Sequence, residues 1–218
     1  MSFRSIPLTV RRRTVLAVLL AFAAIPRTGP AKAQSAIAAA VAKPVSLPDI
    51  VIGSAKARVT ITEYASMSCP HCAAFGENVF PLLRSRFIDT GKVRFVFREF
   101  PLDAKAAAAS MLARCIAKDD SEKYLGAIET LFKLQERLVA QTKDTLFFVG
   151  KLNGMSEQEI EGCAKDQAQL DRLAADAQYA LKELNVVSTP TFFLNGVKLQ
   201  GSMSYEELEE RLKPLLRK

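Results

Sequence analysis

The sequence predicts an α/β protein in which a βαβ unit and a ββα unit are separated by a helical insertion. Three observations predict it. Apolar residues recur with period two over residues 58–65 and 93–97, helical periodicity runs almost unbroken over about 101–185, and period two returns on both sides of Asn195-Gly196. The 218 residues are 49% apolar and 24% charged, enough for one domain with a sizeable core and too mixed for wholesale disorder, collagen or a polytopic membrane protein.

The first 33 residues read as an export signal. Arg11-Arg12-Arg13 precede the apolar run Val15–Ile25, followed by Pro26, Gly29, Pro30 and the small-x-small triplet Ala31-Lys32-Ala33, so cleavage is expected after Ala33. Eleven apolar residues are too few to span a bilayer as a helix. Arg12-Arg13 with Val15-Leu16 resemble a twin-arginine signal, and general secretion is the other route. Either route leads to an oxidising compartment, most simply the bacterial periplasm. This segment also explains the formal net charge of +7: it holds six bases and no acid, leaving 24 bases against 23 acids in the rest. A near-neutral body argues against nucleic acid as a partner.

Residues 34–44 are Ala-rich and read as a loose, partly helical leader with no sign of a dimerisation domain. The body is expected over 45–218. Val59 and Ile61 alternate with Thr60 and Thr62 in a first strand, and a helical stretch from the cysteine motif to about Phe87 follows it. Gly91 closes the connection to a second strand, where Val93, Phe95 and Phe97 alternate with Arg94 and Arg98, read as a solvated face. Within the insertion, Asp103 caps a helix reaching Lys118 and Ser121 caps one carrying Tyr124, Leu125, Ile128, Leu131 and Phe132. Asn153-Gly154 closes a third, and Ser156 with Glu159 forms a capping box for a fourth. Asn195-Gly196 then marks a type I′ hairpin, and Ser204 with Glu207 starts a last amphipathic helix ending near Pro214.

The chemical signal is Cys69-Pro70-His71-Cys72 at the junction of strand and helix. Cys69 falls at the N-cap, where unpaired N–H groups and the helix dipole favour an anion, and Pro70 suits the first helical position because its missing N–H is not needed there. Such sites lower a cysteine pKa from about 8.5 to roughly 3.5–7.5. His71 can strengthen this through hydrogen bonding or partial positive charge toward the Cys69 sulfur. Cys72, one turn along and buried, stays a thiol. Stabilising the reduced thiolate makes the disulfide an oxidant. A zinc site needs two further ligands, and the single histidine lies between the cysteines, so no metal is expected. Cysteine-hydrolase chemistry lacks a histidine base elsewhere. No cofactor is called for.

Cys69-Pro70-His71-Cys72, with Phe75 beyond it and Thr189-Pro190 before a hairpin, resembles the DsbA family of thiol:disulfide oxidoreductases over about residues 45–218. The resemblance implies a thioredoxin-like fold with the helical insertion, with Cys69 as the attacked cysteine and Cys72 as the resolving one. It also implies a cis bond at Pro190, with Thr189 offering backbone groups to an extended substrate; an ordinary trans turn is the alternative there. Members often bury a Glu at the position of Glu63, where it relays the Cys72 proton, whereas the residues alone allow Glu63 to face water. Ala65-Ser66-Met67-Ser68 is less aromatic than in the best-known oxidase, which leaves the partner docking surface open. Cys115 and Cys163 each lie on an apolar helical stripe, so both point inward, and in an oxidising compartment a structural disulfide between them is expected, worth roughly 4 kcal/mol for this loop length; two buried thiols are the alternative.

The expected activity is a monomeric periplasmic oxidase that donates the Cys69–Cys72 disulfide to reduced exported proteins and is reoxidised by a quinone-linked membrane partner of the DsbB kind. The alternatives are a client-specific reductase or isomerase, and a non-enzymatic holdase or metallochaperone.

Overall fold

The computed structural model describes residues 30–43 and 45–217. Of the expected export signal, only the last four residues fall within that range, as the first turn of α1 (Pro30–Ala42). Five strands form one sheet in the order β1-β3-β2-β4-β5. The expected alternation appears as β2 (Val59–Ala65) and β3 (Val93–Glu99), which pair in parallel, and as the hairpin β4 (Thr191–Leu194) and β5 (Val197–Gln200). Asn195 and Gly196 turn that hairpin with φ of +46° and +84°, the two positive values a type I′ turn requires. β4 runs antiparallel to β2, which brings the Thr189-Pro190 loop to the end of β2 where the motif begins.

Between β2 and β3 lie α2 (Pro70–Asn78), α3 (Phe80–Leu83) and a π-helical turn (Arg84–Ile88). The insertion comprises α4 (Ala104–Ala117), α5 (Ser121–Lys133), α6 (Gln135–Ala140), α7 (Thr142–Leu152), α8 (Glu157–Ala164) and α9 (Gln167–Glu183), and α10 (Tyr205–Leu216) closes the chain. Both capping boxes form, Ser156 with Glu159 and Ser204 with Glu207. One sheet face, with Val59, Ile61, Phe95 and Phe97, packs on α2, α5 and α10 in the main core. On the other face Tyr64 and Phe193 meet Val41 of α1, Ala180 of α9 and Leu184, the residue that ends α9.

Several local expectations change. Of the segment read as a loose leader, residues 34–42 belong to α1, and the helix is docked: Val41 is buried, and Gly196 lies so close beneath the helix that a Cβ there would stand 2.6 Å from Ala38. Arg98 is not on a solvated face; its Nε donates to Asp49 Oδ1 at 2.7 Å and its Nη1 to the Tyr64 hydroxyl at 2.8 Å, so burial of the cation is offset by an ion pair. Asp120, not Ser121, caps α5, accepting from the N–H groups of Glu122 and Lys123, while Ser121 Oγ accepts from Val51 N–H and ties α5 to β1 (Ile50–Ile52). β1 itself is too short to show alternation. Pro214 lies inside α10, where the bond it removes falls on an exposed last turn that water can serve.

Candidate active site

The extended backbone of Cys69, φ −84° and ψ 117°, ends the approach from β2 and makes this residue the N-cap of α2, with Pro70 at the first helical position. The Cys69 carbonyl accepts from the N–H groups of Cys72 and Ala73 at 3.1 and 3.2 Å, so the motif winds directly into the helix. Pro70 and His71 are exposed, whereas Cys69 and Cys72 are buried and free.

The Thr189-Pro190 bond is cis, and this loop lies against the motif: the Cys69 thiol donates to the Thr189 carbonyl oxygen at 3.2 Å. The Cys69 pKa is pulled down to about 5. The Cys72 thiol hydrogen bond contributes most, and Thr189 and the backbone N–H groups of Cys72 and His71 add to it, while burial opposes them. The Thr189 hydroxyl is itself buried without a hydrogen-bond partner of ordinary geometry. Histidine 71 therefore acts on the sulfur through its amide; its exposed ring makes no hydrogen bond to Cys69 among the described residues. Cys72 is pushed far up by its hydrogen bond to Cys69, by burial and by the Glu63 charge. The two sulfurs thus have opposite tendencies three residues apart: one ionises readily and the other holds its proton.

Glu63 points inward from β2 and is almost completely buried, rather than facing water. Together with Cys72 it lines a cavity between α2 and α5. Burial, and secondarily the Cys69 charge, raise its pKa to about 8.

Gln135, at the start of α6, was not singled out in the sequence. Its amide donates to the carbonyls of Met67 and Cys69 at 2.9 and 3.0 Å, so the insertion holds the loop that carries the reactive sulfur. Ser66 Oγ similarly accepts from the N–H groups of Ser68 and Leu102. No local pattern marks the Gln135 contacts or the Ser66–Leu102 contact, because those partners are remote in sequence. Cys115 of α4 and Cys163 of α8 are joined in a disulfide within the insertion, apart from the motif.

A thioredoxin family model matches residues 46–214. The chain belongs to the thioredoxin family. Among solved structures, this thioredoxin-like chain is similar to Wolbachia pipientis alpha-DsbA1, with a TM-score of 0.73 and 29% identity over 79% of this chain and 94% of that one. It is also 32% identical over 155 residues to a putative protein-disulfide oxidoreductase of Rickettsia bellii, covering 70% of this chain and 59% of the relative. Disulfide bond formation protein D of Bacillus subtilis is 25% identical over 77% of each chain. The chain thus spans 59% of the length of the Rickettsia relative. The thioredoxin-like fold with inserted helices, expected from the motif, is the fold of these DsbA neighbours. Among the described residues no helix is long and apolar enough to cross a membrane.

Proposed function

We propose that this protein is a periplasmic thiol:disulfide oxidoreductase that donates the Cys69–Cys72 disulfide to reduced exported proteins. The observation that carries this reading is the depressed Cys69 pKa at the N-cap of α2, beside Thr189 and the cis Pro190. A sulfur comfortable as an anion is a good leaving and accepting centre, and stabilising the reduced pair makes the disulfide oxidising.

A substrate thiolate attacks Cys69 Sγ, the S–S bond breaks toward Cys72, and the raised Cys72 pKa favours capture of a proton from Glu63. A second substrate thiolate then displaces Cys69, leaving the substrate oxidised and the protein two electrons reduced, with Cys69 as thiolate and Cys72 as thiol. The N–H and C=O groups of Thr189 pair with an extended substrate chain, so recognition depends little on sequence. The protein acts as a monomer and is reoxidised by a quinone-linked membrane partner of the DsbB kind. Residues 1–33 serve as its cleaved signal, 34–44 as the leader, which carries most of α1, and 45–218 as the catalytic domain, its DsbA-like helical insertion at about 101–185. The Cys115–Cys163 bridge acts as a structural staple.

Oxidative refolding of reduced ribonuclease tests the reading. The wild-type oxidised protein should accelerate formation of active ribonuclease and Cys69→Ala should not. Full activity in Cys69→Ala would remove the enzyme reading, and an equilibrium with glutathione strongly favouring the disulfide would point to a reductase.

A further inference from the structure

Arg94 and Arg98 both stand on the face of β3 that is shared with Phe193 and turned toward α1, and they differ in their partners. Arg98 is matched by Asp49, whose carboxylate oxygens accept from its Nε and Nη2 at 2.7 and 3.0 Å. Arg94 is half-buried and makes no hydrogen bond or ion pair among the described residues. A guanidinium drawn partly out of water without an acceptor carries a desolvation cost that no neighbouring group offsets.

Both arginines line a crevice of about 350 Å³ between the sheet and α1, within the range of roughly 300–1,000 Å³ typical of small-ligand sites. Its walls are apolar: Ala38, Val41 and Ala42 on α1, Val96 and Phe193 on the sheet. The gap exists although α1 is tightly seated, with Ala38 resting on Gly196. The polar groups gather around Arg94. On β2, Thr60 lies opposite Arg94 in register and Thr62 opposite Val96. Thr62 is only 3% exposed and lines the crevice, yet its hydroxyl makes no hydrogen bond among the described residues, and neither does that of Thr60. Asn195, also on the crevice, is occupied, its Oδ1 by the Thr60 N–H at 2.8 Å and its Nδ2 by the Arg58 carbonyl at 3.3 Å. Asp49 faces the same space with its charge held by Arg98. Among the described residues the crevice thus presents an unmatched cation, free hydroxyls beside it and apolar walls.

We propose that this crevice binds a short monocarboxylic acid, with its carboxylate on Arg94 and its apolar chain between Val96 and α1. One carboxylate matches one guanidinium in charge and in the geometry of paired N–H donors, as Asp49 does for Arg98. The Thr60 and Thr62 hydroxyls donate to the lone pairs that Arg94 leaves free. A phosphate dianion would bring a second charge with no cation to meet it, and an uncharged apolar molecule would leave Arg94 unmatched. The crevice lies toward the start of β2, whereas Cys69 follows its end, so the site is separate from thiol exchange and stands independently of the oxidase reading.

Titration with hexanoate, followed by calorimetry and by amide hydrogen exchange, tests the site. Hexanoate should bind the wild-type protein and slow exchange over residues 38–42, because α1 forms one wall. Hexanol keeps the chain without the charge and acetate keeps the charge without the chain, so each should bind about tenfold more weakly or worse. Arg94→Gln should lower hexanoate affinity by about tenfold or more, and Thr62→Val, which keeps the shape and removes the hydroxyl, by a smaller factor. Arg211→Gln removes an exposed cation from α10 and should change nothing. The proposal is overturned by the absence of hexanoate binding, by equal binding of hexanol or acetate, by an unchanged affinity in Arg94→Gln, or by binding that leaves exchange in α1 as it was. Should Arg94→Gln fail to fold, the comparison of the three ligands on the wild-type protein decides alone.

Discussion

The Cys69 sulfur lies 3.2 Å from the carbonyl oxygen of Thr189, a residue 120 positions away, so the reactive atom and the cis-proline loop form one surface. The contact depends on β4 running antiparallel to β2, which carries Thr189 to the end of the strand that delivers Cys69. On the proposed function, a substrate thiolate attacking Cys69 would meet the backbone groups of Thr189 beside it.

The two cysteines should fail differently. Cys69→Ala is expected to lower the rate of dithiol oxidation at least 100-fold, because the attacked sulfur is gone. Cys72→Ala keeps Cys69 and loses the resolving thiol, so once Cys69 is charged as a mixed disulfide with glutathione, a reduced substrate thiolate displaces the glutathione thiolate and the Cys69–substrate mixed disulfide should accumulate. Non-reducing electrophoresis after mixing with reduced ribonuclease checks both.

Glu63 gives a pH dependence of stability with a definite sign. Its folded pKa is raised from 4.5 to about 8, so its favourable contribution is complete below the unfolded value and is lost as pH rises through about 8. Glu63→Gln cannot ionise. In the oxidised protein, where Cys69 does not titrate, the variant should gain on wild type by on the order of a few kcal/mol between pH 4.5 and pH 8.5. Urea unfolding at those two pH values measures the difference, and parallel curves would contradict the burial assigned to this carboxyl.

Gln135 should matter beyond its own helix. Gln135→Ala leaves the Met67 and Cys69 carbonyls without their side-chain donor, costing about 1–3 kcal/mol in denaturant unfolding. Amide hydrogen exchange over residues 66–70 should also rise. Unchanged exchange there would show that the insertion does not brace the loop.

The Cys115–Cys163 bridge closes a separation of 48 residues. Removing it as the double Ala variant should lower stability by roughly 4 kcal/mol. Because the bridge lies in α4 and α8, apart from the motif, the Cys69 ionisation should not move; a shifted Cys69 titration in that variant would connect the two cysteine pairs.

What could be read from the sequence was what local pattern encodes. Period-two alternation located β2 and β3, Asn195-Gly196 located the hairpin, and the capping boxes at Ser156 and Ser204 located two helix starts to the residue. The motif residues and Thr189-Pro190 were also visible, and the fold brings them together. What escaped depends on distant partners. Arg98 looks solvated until Asp49 and Tyr64 are brought to it, α1 looks loose until Gly196 lies under Ala38, and the polarity of Glu63 does not say which sheet face is covered. Gln135 carries no local signal because its acceptors are carbonyls more than sixty residues earlier.

The ionisation of Cys69 in the reduced protein is the most direct test, followed by thiolate ultraviolet absorbance from pH 3 to pH 10, with Cys69→Ala as the blank. A single transition near pH 5, absent from the variant, is the predicted result. A transition near the ordinary thiol value of about 8.5 would contradict the account, since the Cys69–Cys72 disulfide would then have no excess tendency to accept electrons.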